Sequence, residues 1–219
     1  MTAALAQRLK TETRTLHSAA ERSAFMGMLL RGTMHRPAYG LMLRNLHALY
    51  AALELALARH ARHPLIAPVF LPALWRSRPL ELDLQSLYGG DWADELALMP
   101  ATTDQVVRIQ ALDVESPERL LAHAYVRYLG DLSGGQILRK IVADNSALRA
   151  QAALAFYDFG DAAGAKALAH AFRSGIDQVP TSAAQEDAVV DEAKLSFEWH
   201  LRLFDELASA GWVLAERAA

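Results

Sequence analysis

The chain of 219 residues is expected to be all-α, and three observations predict that class. Apolar residues recur at the 3.6-residue spacing of a helix face over most of the sequence. No stretch alternates apolar and polar residues over the length of a strand. Helix-start signals, a proline or a capping hydroxyl ahead of an apolar-periodic run, stand where the periodicity begins. Hydrophobic residues make up 53% and charged residues 21%, enough apolar material for a sizeable core. No Ser/Gly/Pro-rich linker interrupts the chain, so a single domain over residues 1–219 is expected.

Taken in order, Leu5, Leu9, Thr13, Leu16 and Ala20 mark one face of a first helix. A short second helix is expected from Ser23 to about Arg31, stopping at Gly32. Pro37 suits the opening turn of a long third helix reaching about Ala61. Prolines at 64, 68, 72, 79 and 100 predict short helices and irregular connections between them. Ser116-Pro117-Glu118 supplies an N-cap, a proline at the first helical position and an acidic first turn for a helix carrying "RLLAHAYVRY". Further helices are expected from about Gly164 to Asp177 and from Ser182 to about Ala210, with Gly211 closing the last one.

Composition excludes several functions. A formal charge of −3 and no basic stripe argue against nucleic acid as a partner. The absence of cysteine removes disulfides, thiolate metal sites and a cysteine nucleophile together. No apolar run reads as a secretory signal or a membrane span, so a cytoplasmic protein without a membrane anchor is expected.

The stretch from Tyr128 to Leu138, "YLGDLSGGQIL", stands out from its helical flanks. A glycine inside a helix costs roughly 0.8–1 kcal/mol relative to alanine, and here there are three. The apolar positions before them (Leu121, Ala124, Tyr125, Tyr128, Leu132) are rotated from those after them (Ile137, Leu138, Ile141, Val142) by roughly a quarter turn or more at 100° per residue. The helix is therefore expected to be kinked or broken near Gly134-Gly135. Two readings are open: a plain helix–turn–helix, or a bent helix whose Gly130 and Gly134 expose bare backbone to a flat partner. Arg127 and Asp131, four apart, are neighbours on that helix.

The segment Ala122 to Gln136, "AHAYVRYLGDLSGGQ", resembles the signature of the heme oxygenase family. The resemblance extends to "LKTETRTLHSAAERSAFM" from Leu9, to "LHALYAALE" from Leu46 and to "VVDEAKLSFEWHLRLFDEL" from Val189. It implies an all-α single-domain bundle in which heme b lies between a proximal helix bearing the iron's ligand and a kinked, Gly-rich distal helix. His17 is the implied metal ligand, and Glu21, one turn on, is placed to accept its other ring N–H; alternatively Glu21 is a solvated carboxylate. On the distal side the resemblance implies Asp131 as holder of a water path for protons, with Arg127 beside it and Gly130 and Gly134 giving space. Simple pairing of Asp131 with Arg127 is the other reading. Gly135, Met26, Phe197 and Phe204 are implied as heme contacts, although aromatics at helical spacing also read as core. Lys10 and Arg173, with Arg14 as a further candidate and the Tyr125 hydroxyl, are implied at the propionates; as isolated residues they read as solvated charges.

Three positions depart from the family's common pattern: Val126 for threonine, Ala169 for a lysine, and His200 for asparagine. The implied reaction uses heme as cofactor and substrate, with O2 and electrons from an external ferredoxin or flavoprotein reductase. Its products are biliverdin, expected as the alpha isomer, carbon monoxide and ferrous iron. Two rivals remain: a heme carrier, which needs His17 but no proton path, and a helical hydrolase of the thiaminase type, which needs a cysteine this chain lacks.

Overall fold

The computed structural model describes residues 4–145, 148 and 153–218, with side chains described as far as 210. Among the described residues ten α-helices follow one another: α1 Leu5–Glu12, α2 Arg14–Glu21, α3 Ala24–Leu30, α4 Arg36–Arg59, α5 Ser77–Tyr88, α6 Trp92–Glu95, α7 Pro100–Glu115, α8 Leu120–Asp144, α9 Ala162–Gln178 and α10 Ala183–Ala218. Short 3-10 turns at residues 67–69, 72–74, 117–119 and 155–157 join them. No strand occurs among the described residues, as the periodicity requires.

Helix α10 is the hub, packing on α1, α2, α3, α4, α7 and α8, while α4 also meets α5, α7 and α8. Between them lies one contiguous core that includes Leu9, Phe25, Leu43, Tyr50, Leu80, Leu84, Phe172, Ile176 and Val189. Each such side chain, fully removed from water, stabilises the fold by about 1.5–3 kcal/mol. Gly175 permits the closest approach: a Cβ there would stand 2.1 Å from the carbonyl oxygen of Pro68. Only glycine lets α9 lie against the 67–69 turn.

Some helix ends follow local rules and others do not. Ser23 caps α3, its Oγ accepting from the Met26 amide at 3.2 Å, and Pro37 sits in the first turn of α4 as expected. The start of α5 is capped from a different helix: the buried Glu54 of α4 accepts from the Ser77 amide at 3.2 Å and from the Ser77 hydroxyl. Asp83 of α5 in turn accepts from the amides of Ala155 and Phe156, each at 2.8 Å. Arg76 donates to the carbonyl of Asp158 at 2.7 Å and lies over the Phe159 ring. These buried charges fix residues 155–159, a segment with no long helix of its own.

Four boundaries differ from the sequence expectation. The first helix is two, parted at Thr13, whose amide and hydroxyl both turn back onto the Leu9 carbonyl, at 3.0 and 2.7 Å, the kind of back-bonding that bends a helix. Pro117 opens a 3-10 turn, and the α-helix begins only at Leu120. Helix α8 then runs unbroken through all three glycines, which excludes the helix–turn–helix reading. The later apolar set is not all buried, and Ile137 remains 63% exposed. Finally, α10 continues through Gly211 to Ala218, since a glycine inside a helix costs little enough for its neighbours to carry it.

Candidate active site

A cleft of about 300 Å³, at the small end of the range for ligand pockets, opens where α2, α3, α4, α8 and α10 meet. Helix α2 contributes His17, Ala20 and Glu21, and α8 contributes Val126, Arg127, Gly130, Asp131, Gly134, Ile137 and Leu138. Met26 enters from α3, Phe197, His200 and Phe204 from α10, and Phe156 and Tyr157 from the turn held by Asp83 and Arg76. The walls are therefore mainly apolar, with a few convergent polar groups.

His17 stands at the mouth with its side chain 49% exposed, its ring edge-on to Phe197 at 6.0 Å. Glu21 Oε2 lies 3.6 Å from His17 Nδ1, beyond a hydrogen bond yet on the intended nitrogen. That leaves Nε2 as the ring nitrogen free of a carboxylate. Ala20 is the only buried side chain of α2, which packs on α10.

The opposite wall is bare backbone. A Cβ at Gly130 would meet nothing within 4 Å, and one at Gly134 would meet only Leu138 Cδ1 at 3.9 Å. These glycines are not filled by packing from their own core; the space above them belongs to the cleft. Gly135 points elsewhere, buried against Tyr157 and Phe159, and is absent from the cleft lining.

Beside the glycines runs a polar chain. Asp131 accepts from the Tyr50 hydroxyl and from Arg127 Nη2, the latter at 3.3 Å. Burial pushes the Asp131 carboxyl well above the usual carboxylate range, biasing it toward its neutral form. Arg127, itself buried, is lowered by desolvation to about 10 and packs over the Tyr50 ring. Its Nε is buried without a hydrogen-bond partner among the described residues, a donor that a water or ligand in the cleft can satisfy.

The expected propionate residues are not gathered in the cleft. Lys10, Arg14 and Arg173 are exposed on α1, α2 and α9, and Tyr125 is half-buried, its hydroxyl raised by desolvation while a bond to Thr13 works the other way. Ala169 is buried. Sequence reasoning missed Tyr50, Phe156 and Tyr157. Tyr50 sits in a run of core spacing that gives its hydroxyl no distinction, and the 155–157 turn reaches the cleft through packing on α5 and α8, both distant in sequence.

Fold and cleft together define an all-α ligand-binding protein that opposes a histidine to a glycine-lined helix with a buried carboxyl at its side. The heme oxygenase family model matches residues 3–206. Among curated relatives, heme oxygenase 1 of Nostoc sp. is 35% identical over 94% of this chain and 87% of its own length. Human heme oxygenase 1 is 37% identical over 93% of this chain and 71% of its own. Among solved structures, Synechocystis heme oxygenase-1 in complex with heme superposes with a TM-score of 0.85 at 33% identity, covering 99% of both chains. Synechocystis heme oxygenase-2 in complex with heme and NO gives 0.91 at 31%, over 97% of this chain and 88% of that one. The chain belongs to the heme oxygenase family, and its activity is the family's, the degradation of heme.

Proposed function

We propose that the protein, acting as one domain over its whole length, binds heme b in the cleft between α2 and α8 as both cofactor and substrate. With O2 and electrons from an external ferredoxin or flavoprotein reductase, it opens the ring to biliverdin, the alpha isomer, carbon monoxide and ferrous iron. The observation that carries this reading is the open space over Gly130 and Gly134 in the same cleft as His17 and Asp131. A macrocycle can lie against helix backbone only where no Cβ intervenes.

The bound group supplies the oxygen and electron-transfer chemistry. The chain's own residues bind, orient and handle protons. His17 would hold the iron through Nε2, with the Glu21 carboxylate 3.6 Å from Nδ1 on the ring's other side. Met26, Phe197 and Phe204 would hold the ring from the cleft walls, while Lys10, Arg173, Arg14 and Tyr125, which lie outside the cleft lining, would serve the propionates from its rim. Asp131 holds and releases a proton, because burial favours its neutral form while Tyr50 and Arg127 keep its oxygens aimed. The unpartnered Arg127 Nε is a point where ordered water extends that path. The reading places the protein in the cytoplasm; among the described residues no helix is long and apolar enough to cross a membrane.

The test is to add heme, a reducing system and air, follow the Soret band, and separate the released tetrapyrrole by chromatography. Asp131→Ala should still bind heme yet lose most biliverdin formation; a wild-type rate in that variant would remove the proton role. Heme bound by the wild-type protein without any turnover would mark a carrier instead.

A further inference from the structure

Helix α8 places His123, Arg127 and Asp131 four residues apart on one face, and α10 does the same with Glu192, Ser196 and His200. The two faces meet. His123 Nε2 lies 3.2 Å from Glu192 Oε1, Gln105 of α7 donates to Ser196 Oγ at 3.2 Å and sits 3.2 Å from His123 Nδ1, and Arg127 Nη1 lies 2.9 Å from His200 Nδ1. The buried end of this seam fixes how α8 and α10 slide on one another. Its other end emerges in the cleft at His200.

Arg127 is a permanent donor, and its Nη1 reaches both ring nitrogens of His200, Nδ1 at 2.9 Å and Nε2 at 3.4 Å; the shorter contact makes Nδ1 the acceptor and places the ring proton on Nε2. Burial, reinforced by the neighbouring Arg127 and by His17, holds the imidazole well below its ordinary range, which keeps that neutral form. The ring is not free to turn away. It packs on Phe204 at 4.1 Å between centroids, and Phe204 is stacked on the fully buried Phe25 at 5.5 Å. One guanidinium nitrogen is thus occupied by His200 while the other reaches Asp131.

We propose that His200 is a positioning residue for the distal carboxyl: as a neutral hydrogen-bond acceptor anchored on Phe204 and Phe25, it holds the Arg127 guanidinium in contact with Asp131. The inference rests on the proposed role of Asp131 and deepens it. A side chain at 200 that cannot accept leaves Arg127 Nη1 unpaired in a buried place, and the guanidinium then swings to find a partner. An asparagine, with an amide oxygen, can take over the acceptor role.

Two measurements test this. In heme-free protein labelled with 15N-histidine, the His200 signals, assigned by their loss in His200→Asn, should report a bare Nδ1 and a protonated Nε2 at pH 7. A proton on Nδ1 would overturn the proposal without reference to turnover. With heme and a reducing system, His200→Leu should lower kcat for biliverdin formation about tenfold with heme affinity nearly unchanged, as loss of a positioning contact requires. His200→Asn should recover most of that rate. A leucine variant as fast as wild type, or an asparagine variant as slow as leucine, contradicts the assignment. Should wild-type protein release no biliverdin, the proposed function fails, while the tautomer still decides the contact.

Discussion

Glu192 offers the sharpest quantitative test of how the two site-bearing helices are held together. Its side chain is only 2% exposed, and it accepts from Arg108 Nη2 at 2.6 Å and Nε at 3.1 Å while lying 3.2 Å from His123 Nε2. Burial alone pushes this carboxyl upward, but the bonds from His123 and Arg108 outweigh it and bring it down to about 2 from an ordinary value of 4.5. At about 1.36 kcal/mol per unit, that difference is worth about 3 kcal/mol of folding stability. Because the folded value is the lower one, the contribution is fully present above pH 4.5 and drains away as the pH falls toward 2. Linkage gives about 3 kcal/mol at pH 7 and about 2 kcal/mol at pH 3.5. Glu192→Gln should therefore lose about 3 kcal/mol in urea unfolding at pH 7, and its deficit should narrow as both proteins are acidified. Equal midpoints at pH 7, or a deficit that stays constant down to pH 3.5, would show that the ionised carboxylate does not clamp α8 to α10.

Three other outcomes are expected. His17→Ala should displace the Soret band of bound ferric heme and abolish turnover; an unaltered band with full activity would assign the iron to another residue. Gly134→Leu should project into the open cleft and weaken heme binding at least about tenfold, equivalent to about 1.4 kcal/mol, and unchanged affinity in a titration would show that the ring does not use this wall. Gly175→Ala should cost about 3 kcal/mol in chemical unfolding, because its Cβ would meet backbone, the Pro68 carbonyl oxygen, at 2.1 Å; a stability loss below about 0.5 kcal/mol would mean that α9 can back away freely.

Much of the architecture was legible residue by residue. The 3.6-residue period gave the helices, Ser23 and Pro37 gave two of their starts, and the proline cluster from 64 to 100 gave the broken middle. The glycines announced a wall without side chains, and the family likeness supplied roles for His17 and Asp131. Local reading failed at some places along the chain. The first helix parts at Thr13, whose hydroxyl turns back onto the Leu9 carbonyl, and Gly134 and Gly135 look like a helix end until α8 is seen to carry through them.

Periodicity, caps and bare glycine backbone act within a turn or two of chain, so the sequence by itself determined which segments are helical and which of them lacks side chains on one face. The partners of the buried charges came only from tertiary packing: Tyr50 and Arg127 on Asp131, His200 on Arg127, Glu54 at the start of α5, Asp83 beneath residues 155–156. A charge withdrawn from water must be met by a group at hydrogen-bond distance, and which group stands there depends on how helices far apart in sequence are brought together.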